Sequence, residues 1–145
     1  MQILYREYDK TDTTPITYLM SELGYSVNEE ELKFNIQEIQ NMGGTVFVAE
    51  SNGRVLGCIC TLIDARLAEG VYGELVSLIV AEKFRGTGVG KGLVEVGEQW
   101  IGKRATRIRV RANEIRSDTH AFYKYLGYRE SKTQKIFIKN VYLPS

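Results

Sequence analysis

Apolar and polar positions follow two different periods along this chain. Residues 11–24 and 26–44 place apolar side chains three or four positions apart, which is typical of amphipathic helices. From Thr45 onward apolar and polar residues alternate, and segments 45–51 and 54–64 are joined by Asn-Gly, a dipeptide typical of tight hairpins. The N-terminal half is therefore predicted to hold two helices followed by a hairpin.

The same two periods predict the remaining elements. Further strands are predicted at 3–8, 71–84, 106–113 and 133–143, and further helices at 89–105 and 117–127. Ser26 and Glu29 have the spacing of a helix capping box. Ser117 is expected to cap the last helix and Gly127 to end it. The element order β-α-α-β-β-β-α-β-α-β predicts a single α/β domain over residues 1–145, with one mixed sheet and helices on its faces.

Composition narrows the class of partner. The chain has 145 residues, of which 43% are apolar, and its 19 basic and 18 acidic side chains leave a net charge of +1. This balance gives no support for a nucleic-acid partner or a membrane surface. Because the sequence has no run of eighteen apolar residues and no signal-peptide pattern, we expect a cytoplasmic protein.

The cysteines and the histidine count against metal chemistry. Cys58 and Cys60 are two positions apart in a predicted strand, so both thiols lie on one face without the spacing of a zinc site. We expect two reduced structural cysteines. His120 is the only histidine of the sequence, which excludes a site built from several histidines.

The stretch RGTGVGKG, residues 85–92, places four glycines between a predicted strand and a predicted helix. The start of a helix has unpaired N–H groups and a partial positive charge, so it binds anions. Glycines let an anion approach those N–H groups because no Cβ stands in the way. Arg85 or Lys91 can add positive charge. The stretch is therefore predicted to hold a phosphate group.

Two common phosphate-binding loops do not fit the spacing. A P-loop requires Ser or Thr after its Gly-Lys pair to hold magnesium, whereas Gly92 follows Lys91. A dinucleotide-binding loop requires G-x-G-x-x-G. Counted from Gly86 its last glycine falls on Lys91, and counted from Gly88 it falls on Leu93. A nucleotide-phosphate binder of either kind is therefore disfavoured.

The pattern that does fit is R-x-x-G-x-G, formed by Arg85, Gly88 and Gly90. Here the sequence resembles the GNAT family of acetyl-CoA-dependent N-acetyltransferases. A second stretch, AFYKYLGYRE at 121–130, resembles the next helix and strand of that family, and the element order matches along nearly the whole chain. The resemblance implies the GNAT fold, a mixed central sheet of about six to seven strands flanked by about four helices.

The resemblance also implies acetyl-CoA as the acyl donor, with no metal. Backbone N–H groups of the loop are expected to hold the pyrophosphate of coenzyme A, and the residues expected to bind it are Arg85, Gly86, Gly88, Val89, Gly90 and Lys91. The strand carrying Leu78 and Val80 is expected to pair with the pantetheine arm like an added strand, where it splays from the strand at 106–113. Asn113 is expected either to contact the arm or to cap a turn.

The reaction implied by the resemblance is direct attack of a primary amine on the thioester in a ternary complex. A free alkylammonium has a pKa near 10.4, so its deprotonation at pH 7 costs about 4.6 kcal/mol. Glu74 lies eleven residues before Arg85 and matches the base glutamate of the histone-acetylating branch. An ordinary glutamate is a poor base at neutral pH and would need burial or an intervening water. The alternative is a strand-end carboxylate that only binds the cationic acceptor or pairs with an arginine.

Two further groups belong to the implied site. The backbone N–H of Leu78 occupies the family's usual position for stabilising the oxyanion. Tyr123 is expected to reach the coenzyme sulfur and protonate the leaving thiolate, because the pKa of a phenol and that of a thiol are close. Core packing is the alternative role for Tyr123. Tyr125 is the competing tyrosine, and we expect it to pack in the core beside Phe122 and Leu126.

The acceptor is the least defined part of the sequence. The family builds its acceptor site from segments that correspond to 23–32 and 63–70, and a small-molecule amine is expected, with a protein amine left open. Tyr25 and the acidic run 29–31 could attract a cationic amine, or the acids could simply suit the start of a helix. An alternative hypothesis for the whole chain is a non-catalytic acyl-CoA-binding module. A homodimer is a further expectation, because dimers are common in the family and the last strand could pair across one.

Overall fold

The computed structural model describes residues 1–112 and 117–142. They form two compact units, residues 1–111 and the residues from Ala112 onward. The elements of the first unit are β1 (Leu4–Glu7), α1 (Thr13–Glu22), α2 (Glu29–Asn41), β2 (Thr45–Ser51), β3 (Arg54–Arg66), β4 (Gly70–Val80), α3 (Val89–Gly102) and β5 (Ile108–Val110). The second unit contains α4 (Ser117–Tyr125). The prediction of one domain over 1–145 stays a prediction.

The five strands form one mixed sheet in the order β1-β2-β3-β4-β5. The pairings from β1 to β4 are antiparallel, and β5 runs parallel to β4. The predicted hairpin between β2 and β3 is confirmed, with Asn52 and Gly53 at positive φ values of 50° and 76°. Parallel pairing of β4 and β5 requires a crossover, and α3 supplies it.

The sequence-based strand count is wrong by at least one among the described residues. The segment predicted as a strand at 133–143 has neither helix nor strand as far as Tyr142, and residue 143 lies outside the described residues. Its apolar side chains are exposed, including Ile136, Phe137 and Ile138. Alternation describes where side chains would point, but a strand also needs a neighbour that accepts its backbone hydrogen bonds. Among the described residues the sheet therefore has five strands, and there are four α-helices.

The two faces of the sheet are covered by different helices. On one face α1 and α2 bury a cluster that includes Ile16, Leu32, Val48, Cys58 and Cys60. On the other face α3 packs across β3 and β4. Both cysteines are buried and free, as the sequence predicts.

Glycines let α3 approach the sheet closely. A Cβ on Gly97 would lie 2.7 Å from Leu75, and a Cβ on Gly92 would lie 2.0 Å from the hydroxyl of Tyr5. Such distances are shorter than real carbon contacts. These two glycines therefore allow the close packing of a helix whose propensity they lower.

Two helix ends refine the sequence-based boundaries. The cap of α2 is Asn28, whose side chain accepts from the N–H of Glu31 at 2.8 Å, so the predicted Ser26–Glu29 capping box is wrong by two residues. The same spacing recurs at the observed position, and asparagine is a strong cap. Helix α4 begins at Ser117, and the residue before it lies outside the described residues. Gly127 ends this helix at φ +96°, as predicted.

Along the described ranges, every helix is too short or too polar to cross a lipid bilayer.

Candidate active site

The glycine loop leads from β4 into the first turn of α3. Gly88 is the residue that precedes the helix, at φ +93°, and Gly86 has φ +77°. These left-handed conformations favour glycine, and a Cβ added at either position would meet no atom within 4 Å. The first helical hydrogen bond of α3 runs from the N–H of Gly92 to the carbonyl of Gly88 at 3.0 Å. The N–H groups of residues 89–91 therefore have no acceptor within the helix. A helix start of this kind can bind an anion, and residues 86–91 are called the anion cradle below.

The side chains around the loop differ in their burial and in their contacts. Val89 is completely buried, so only its backbone can face the cradle. Arg85 is exposed and donates from Nε to the carbonyl of Val80 at 3.2 Å, which ties the loop to the end of β4. Lys91 is exposed in the first turn of α3, and Gly90 beside it is half-buried. Two cations and a helix start therefore meet at one end of β4.

A β-bulge interrupts β4 ahead of the loop. Cys60 pairs with Val76, but Cys58 pairs with Ile79, so β4 holds one extra residue at this point. Ser77 has φ +54°, an uncommon value for a residue other than glycine. Bulges re-aim the backbone and leave one residue unpaired. Leu78, the next residue, is the position predicted to donate its N–H to the reacting oxygen.

Within the described residues, the edge of β4 that faces β5 is unpaired from the bulge onward. The parallel ladder joins Gly73, Glu74 and Leu75 to Ile108, Arg109 and Val110, and β5 ends there. Among the described residues no strand pairs with Val76–Val80 on this side. Leu78 and Val80 are half-buried along that edge. An extended ligand can add to it as a further strand would.

Glu74 lies two residues before this unpaired region and is 8% exposed. Its Oε1 accepts a hydrogen bond from Nε of Arg109 at 2.7 Å and lies 3.3 Å from Nε of Arg111. The sequence-based alternative of pairing with an arginine is thus observed. Glu74 is opposite Leu62 in the ladder with β3, on the sheet face that α1 and α2 cover.

A charged network that the sequence reasoning missed extends from Glu74 along this face. Arg109 also donates from Nη2 to Asp64, and Arg66 donates to the same carboxylate at 2.8 Å. The hydrogen bonds from Arg109, and then from Arg66, hold the pKa of Asp64 below its usual range. The guanidinium of Arg109 lies 5.1 Å from the ring centroid of Tyr72. Alternating arginines in the stretch RIRVR were the available signal, because alternation places them on one face of a strand.

Tyr123 belongs to α4 in the second unit. Its ring contacts Phe122 and Tyr128 edge-on, with centroids 5.1 Å and 5.6 Å away. Burial raises the pKa of Tyr123 above its ordinary value, so the hydroxyl stays protonated at neutral pH. Tyr125 is 81% exposed, so its predicted place in the core is wrong. Because residues in a helix repeat about every 3.6 positions, Tyr125 points away from the side that Tyr123 occupies.

The remaining predicted site residues are Asn113 and those of the acceptor segments. Asn113 lies outside the described residues. In the predicted acceptor segments Tyr25 is exposed, Glu31 completes the cap of α2, and Glu29 accepts a hydrogen bond from Thr14. Glu31 therefore serves the start of α2, as the alternative hypothesis for the acids proposed, whereas Glu29 links α2 to α1. Within the described ranges, no three His, Cys, Asp or Glu side chains form a group that could hold a metal ion.

Solved structures with this architecture include acetyltransferases of low sequence identity. An aminoglycoside N-acetyltransferase in complex with CoA superimposes with a TM-score of 0.85 at 18% identity, over 97% of this chain and 96% of that one. Glucosamine-6-phosphate N-acetyltransferase from Arabidopsis thaliana superimposes with a TM-score of 0.80 at 19% identity, over 97% of this chain and all of that one. The protein therefore has the fold of N-acetyltransferases.

Sequence comparison assigns the family. Residues 42–130 match the acetyltransferase (GNAT) domain model. An uncharacterised N-acetyltransferase of Chlorobaculum tepidum is 32% identical over 110 residues, and one of Methanocaldococcus jannaschii is 29% identical over 99 residues. These alignments cover 74% and 66% of this chain, and 64% and 43% of the two relatives. The chain belongs to the GNAT acetyltransferase family.

Proposed function

We propose that the protein is an acetyl-CoA-dependent N-acetyltransferase that moves an acetyl group to a primary amine of a small molecule by direct attack in a ternary complex. The observation that carries the proposal is an anion cradle at the end of a bulged strand whose edge is open. Phosphates fit the cradle, and an extended arm fits the edge. No other part of β4 and α3 combines these two features among the described residues.

The residues of the loop and of β4 would hold coenzyme A together. The N–H groups of Val89, Gly90 and Lys91 at the start of α3 would donate to an anion in front of the helix, and Arg85 and Lys91 would supply positive charge. The backbone of Leu78 and Val80 offers hydrogen bonds to an amide-containing arm along the open edge. When bound, the coenzyme supplies an acetyl group activated as a thioester.

Two groups of β4 would act on the reacting atoms. The N–H of Leu78, re-aimed by the bulge at Ser77, donates to the carbonyl oxygen on which negative charge develops. Glu74 binds the ammonium of the acceptor and accepts its proton, directly or through a water. Both arginine contacts of Glu74 use Oε1, so the amine is expected at Oε2.

Tyr123 is proposed to protonate the leaving thiolate. Its raised pKa keeps the phenol protonated throughout the neutral range, which a proton donor requires. The contacts with Phe122 and Tyr128 restrict the ring and therefore the direction of the hydroxyl. Asn113 keeps its proposed role as a contact to the arm.

The first experiment is a melting-temperature comparison with acetyl-CoA, CoA, ATP and NAD at saturation. A ligand at 100 times its Kd adds about 2.7 kcal/mol, which shifts the melting temperature by several degrees. We expect stabilisation by acetyl-CoA and CoA alone. Stabilisation by ATP or NAD instead would show that the loop holds another ligand.

A matched pair of glycine variants assigns the binding to the loop. Gly88→Ala forces a side chain into a left-handed position of the cradle and should weaken acetyl-CoA binding. Gly43→Ala imposes the same kind of strain at φ +89° beyond the end of α2 and should leave binding unchanged. Thiol release on adding amines then separates an enzyme from a module that only binds acyl-CoA.

A further inference from the structure

We propose that the acceptor carries a carboxylate beside its amine and that Arg111 binds this carboxylate, which makes the acceptor an amino acid or a close relative of one. The inference rests on the acetyl transfer proposed above and names the substrate class of that site. It is carried by five side chains, called here the charged row. The charged row consists of Arg66, Asp64, Arg109, Glu74 and Arg111.

Positive and negative groups alternate along the charged row. Oδ2 of Asp64 lies between Arg66 and Arg109, at 2.8 Å and 2.5 Å. Oε1 of Glu74 lies between Arg109 and Arg111, at 2.7 Å and 3.3 Å. Three cations thus share two anions, so one positive charge is in excess.

The excess charge lies at the ends of the charged row. The side chains of Arg66 and Arg111 are 51% and 47% exposed, whereas those of Arg109 and Glu74 are 19% and 10% exposed. A guanidinium has five N–H donors, and the contact of Arg111 with Glu74 is the longest in the row. In the described part of the chain Glu74 is the acid that Arg111 contacts. Arg111 therefore keeps donors for a bidentate carboxylate.

Only one end of the charged row lies next to the proposed reaction. Val110 is opposite Leu75 in a parallel pair, so Arg111 comes at the level of Val76, two residues before Leu78. Arg66 is opposite Gly70, at the far end of β4. An anionic group held by Arg111 would sit beside the acetyl group, and one held by Arg66 would not.

The phosphates of coenzyme A are not the partners of Arg111. Val76 lies four residues before the end of β4, which is roughly 13 Å along a strand. The anion cradle begins beyond that end, at Gly86. The two cationic regions are therefore separate, and the one at Arg111 is left for the acceptor.

At the Arg111 end of the charged row a carboxylate and a guanidinium lie side by side, and this pair determines which acceptors fit. Glu74 suits an ammonium and Arg111 suits a carboxylate, and their charged groups are 3.3 Å apart. An acceptor that meets both must carry its own ammonium and carboxylate close together, as an amino acid does. A polyamine has no group for Arg111, and a phosphate dianion would need more positive charge than one partly paired guanidinium offers.

The test compares acceptors that differ only in the carboxylate. Common amino acids are compared with their amides by thiol release. Each pair is assayed at equal concentrations of the neutral amine, because the ammonium group of the amide is more acidic than that of the amino acid. Ethanolamine, its phosphate ester and a diamine extend the panel. The enzymes are wild type, Arg111→Gln and the matched control Arg66→Gln. Calorimetric binding of an N-acetylated amino acid to the CoA complex gives a readout independent of turnover.

We expect wild-type kcat/KM to favour a carboxylate over its amide by about tenfold or more, the value of one charge-assisted contact. Arg111→Gln should abolish that preference, mainly through KM, and should weaken product binding, whereas Arg66→Gln should keep both. Equal use of acids and amides, a preference for the phosphate ester or the diamine, or equal effects of the two variants would overturn the inference. Acetyl-CoA binding without acetylation of any carboxylate-bearing amine would also overturn it. Absence of acetyl-CoA binding would instead reject the proposed function itself.

Discussion

The carboxylate of Glu74 accepts a hydrogen bond from Nε of Arg109 at 2.7 Å, although the residues are 35 positions apart. Parallel pairing of β4 with β5 places them side by side. The pair fixes one oxygen of a nearly buried carboxylate at the level where the acceptor is proposed to bind. Glu74 is therefore oriented by the sheet rather than by its own strand alone.

Replacing Glu74 tests whether it handles the proton of the amine. Glu74→Gln should lower kcat at pH 7 by about a hundredfold, the lower end of the range for general base catalysis. The deficit should shrink toward pH 10, where the amine loses its proton unaided. A pH–rate profile measures this. Asp64→Asn alters the same charged network one residue away from Glu74, and its kcat should not approach that of wild type as the pH rises. A Glu74→Gln deficit in kcat that is constant with pH would contradict the base role.

Tyr123→Phe tests the proposed proton donor. Without the hydroxyl the leaving thiolate receives no proton, so kcat should fall by about tenfold or more while the Kd of acetyl-CoA changes little. Steady-state kinetics and calorimetry give the two quantities. Tyr125→Phe is the matched control on the same helix, because its ring is exposed. Wild-type turnover of Tyr123→Phe across pH 6–9 would exclude the acid role.

The two buried cysteines predict a loss of stability in alkali. Burial raises the pKa of Cys58 from 9.0 to about 12, and burial together with Glu74 raises that of Cys60 to about 12. Between pH 9 and about pH 12, both thiols are deprotonated in the unfolded chain but stay protonated in the folded protein. Stability is therefore complete below pH 9 and falls as pH rises toward 12, by about 1.4 kcal/mol per pH unit for each thiol.

Urea unfolding at pH 8 and pH 10 measures that loss. Lysines and tyrosines titrate in the same range, so the comparison is with the double variant Cys58→Ala/Cys60→Ala, which lacks only the thiol contribution. The variant should be less stable than wild type at pH 8 because of the lost packing, and the gap should narrow at pH 10. A gap independent of pH would contradict the raised pKa values.

Gly73→Ala tests the close contact between α3 and β4. A Cβ at this position would lie 2.1 Å from the side chain of Ile101, which is completely buried. The strain should lower the free energy of unfolding by about 1–3 kcal/mol. Denaturant unfolding measures the change. Gly102→Ala is the matched control, because a Cβ there meets nothing within 4 Å, and its stability should be unchanged or slightly higher.

Local patterns in the sequence predicted much of this fold correctly. The hairpin at Asn52–Gly53 and the helix that ends at Gly127 depend on a few neighbouring residues, and both are confirmed. The wrong strand prediction at 133–143 concerns an element that local residues do not determine. A strand there would depend on a partner elsewhere in the chain, which alternation alone does not supply.

The sequence by itself determined the glycine loop before α3, because glycines followed by an amphipathic helix are properties of one short segment. Only the tertiary structure decided the bulge at Ser77, the open edge beyond Leu75 and the partners of Glu74. Each of these depends on the register between strands that are far apart in the chain. A register shift of one residue would move every side chain to the opposite face, so no local pattern can fix which charges meet.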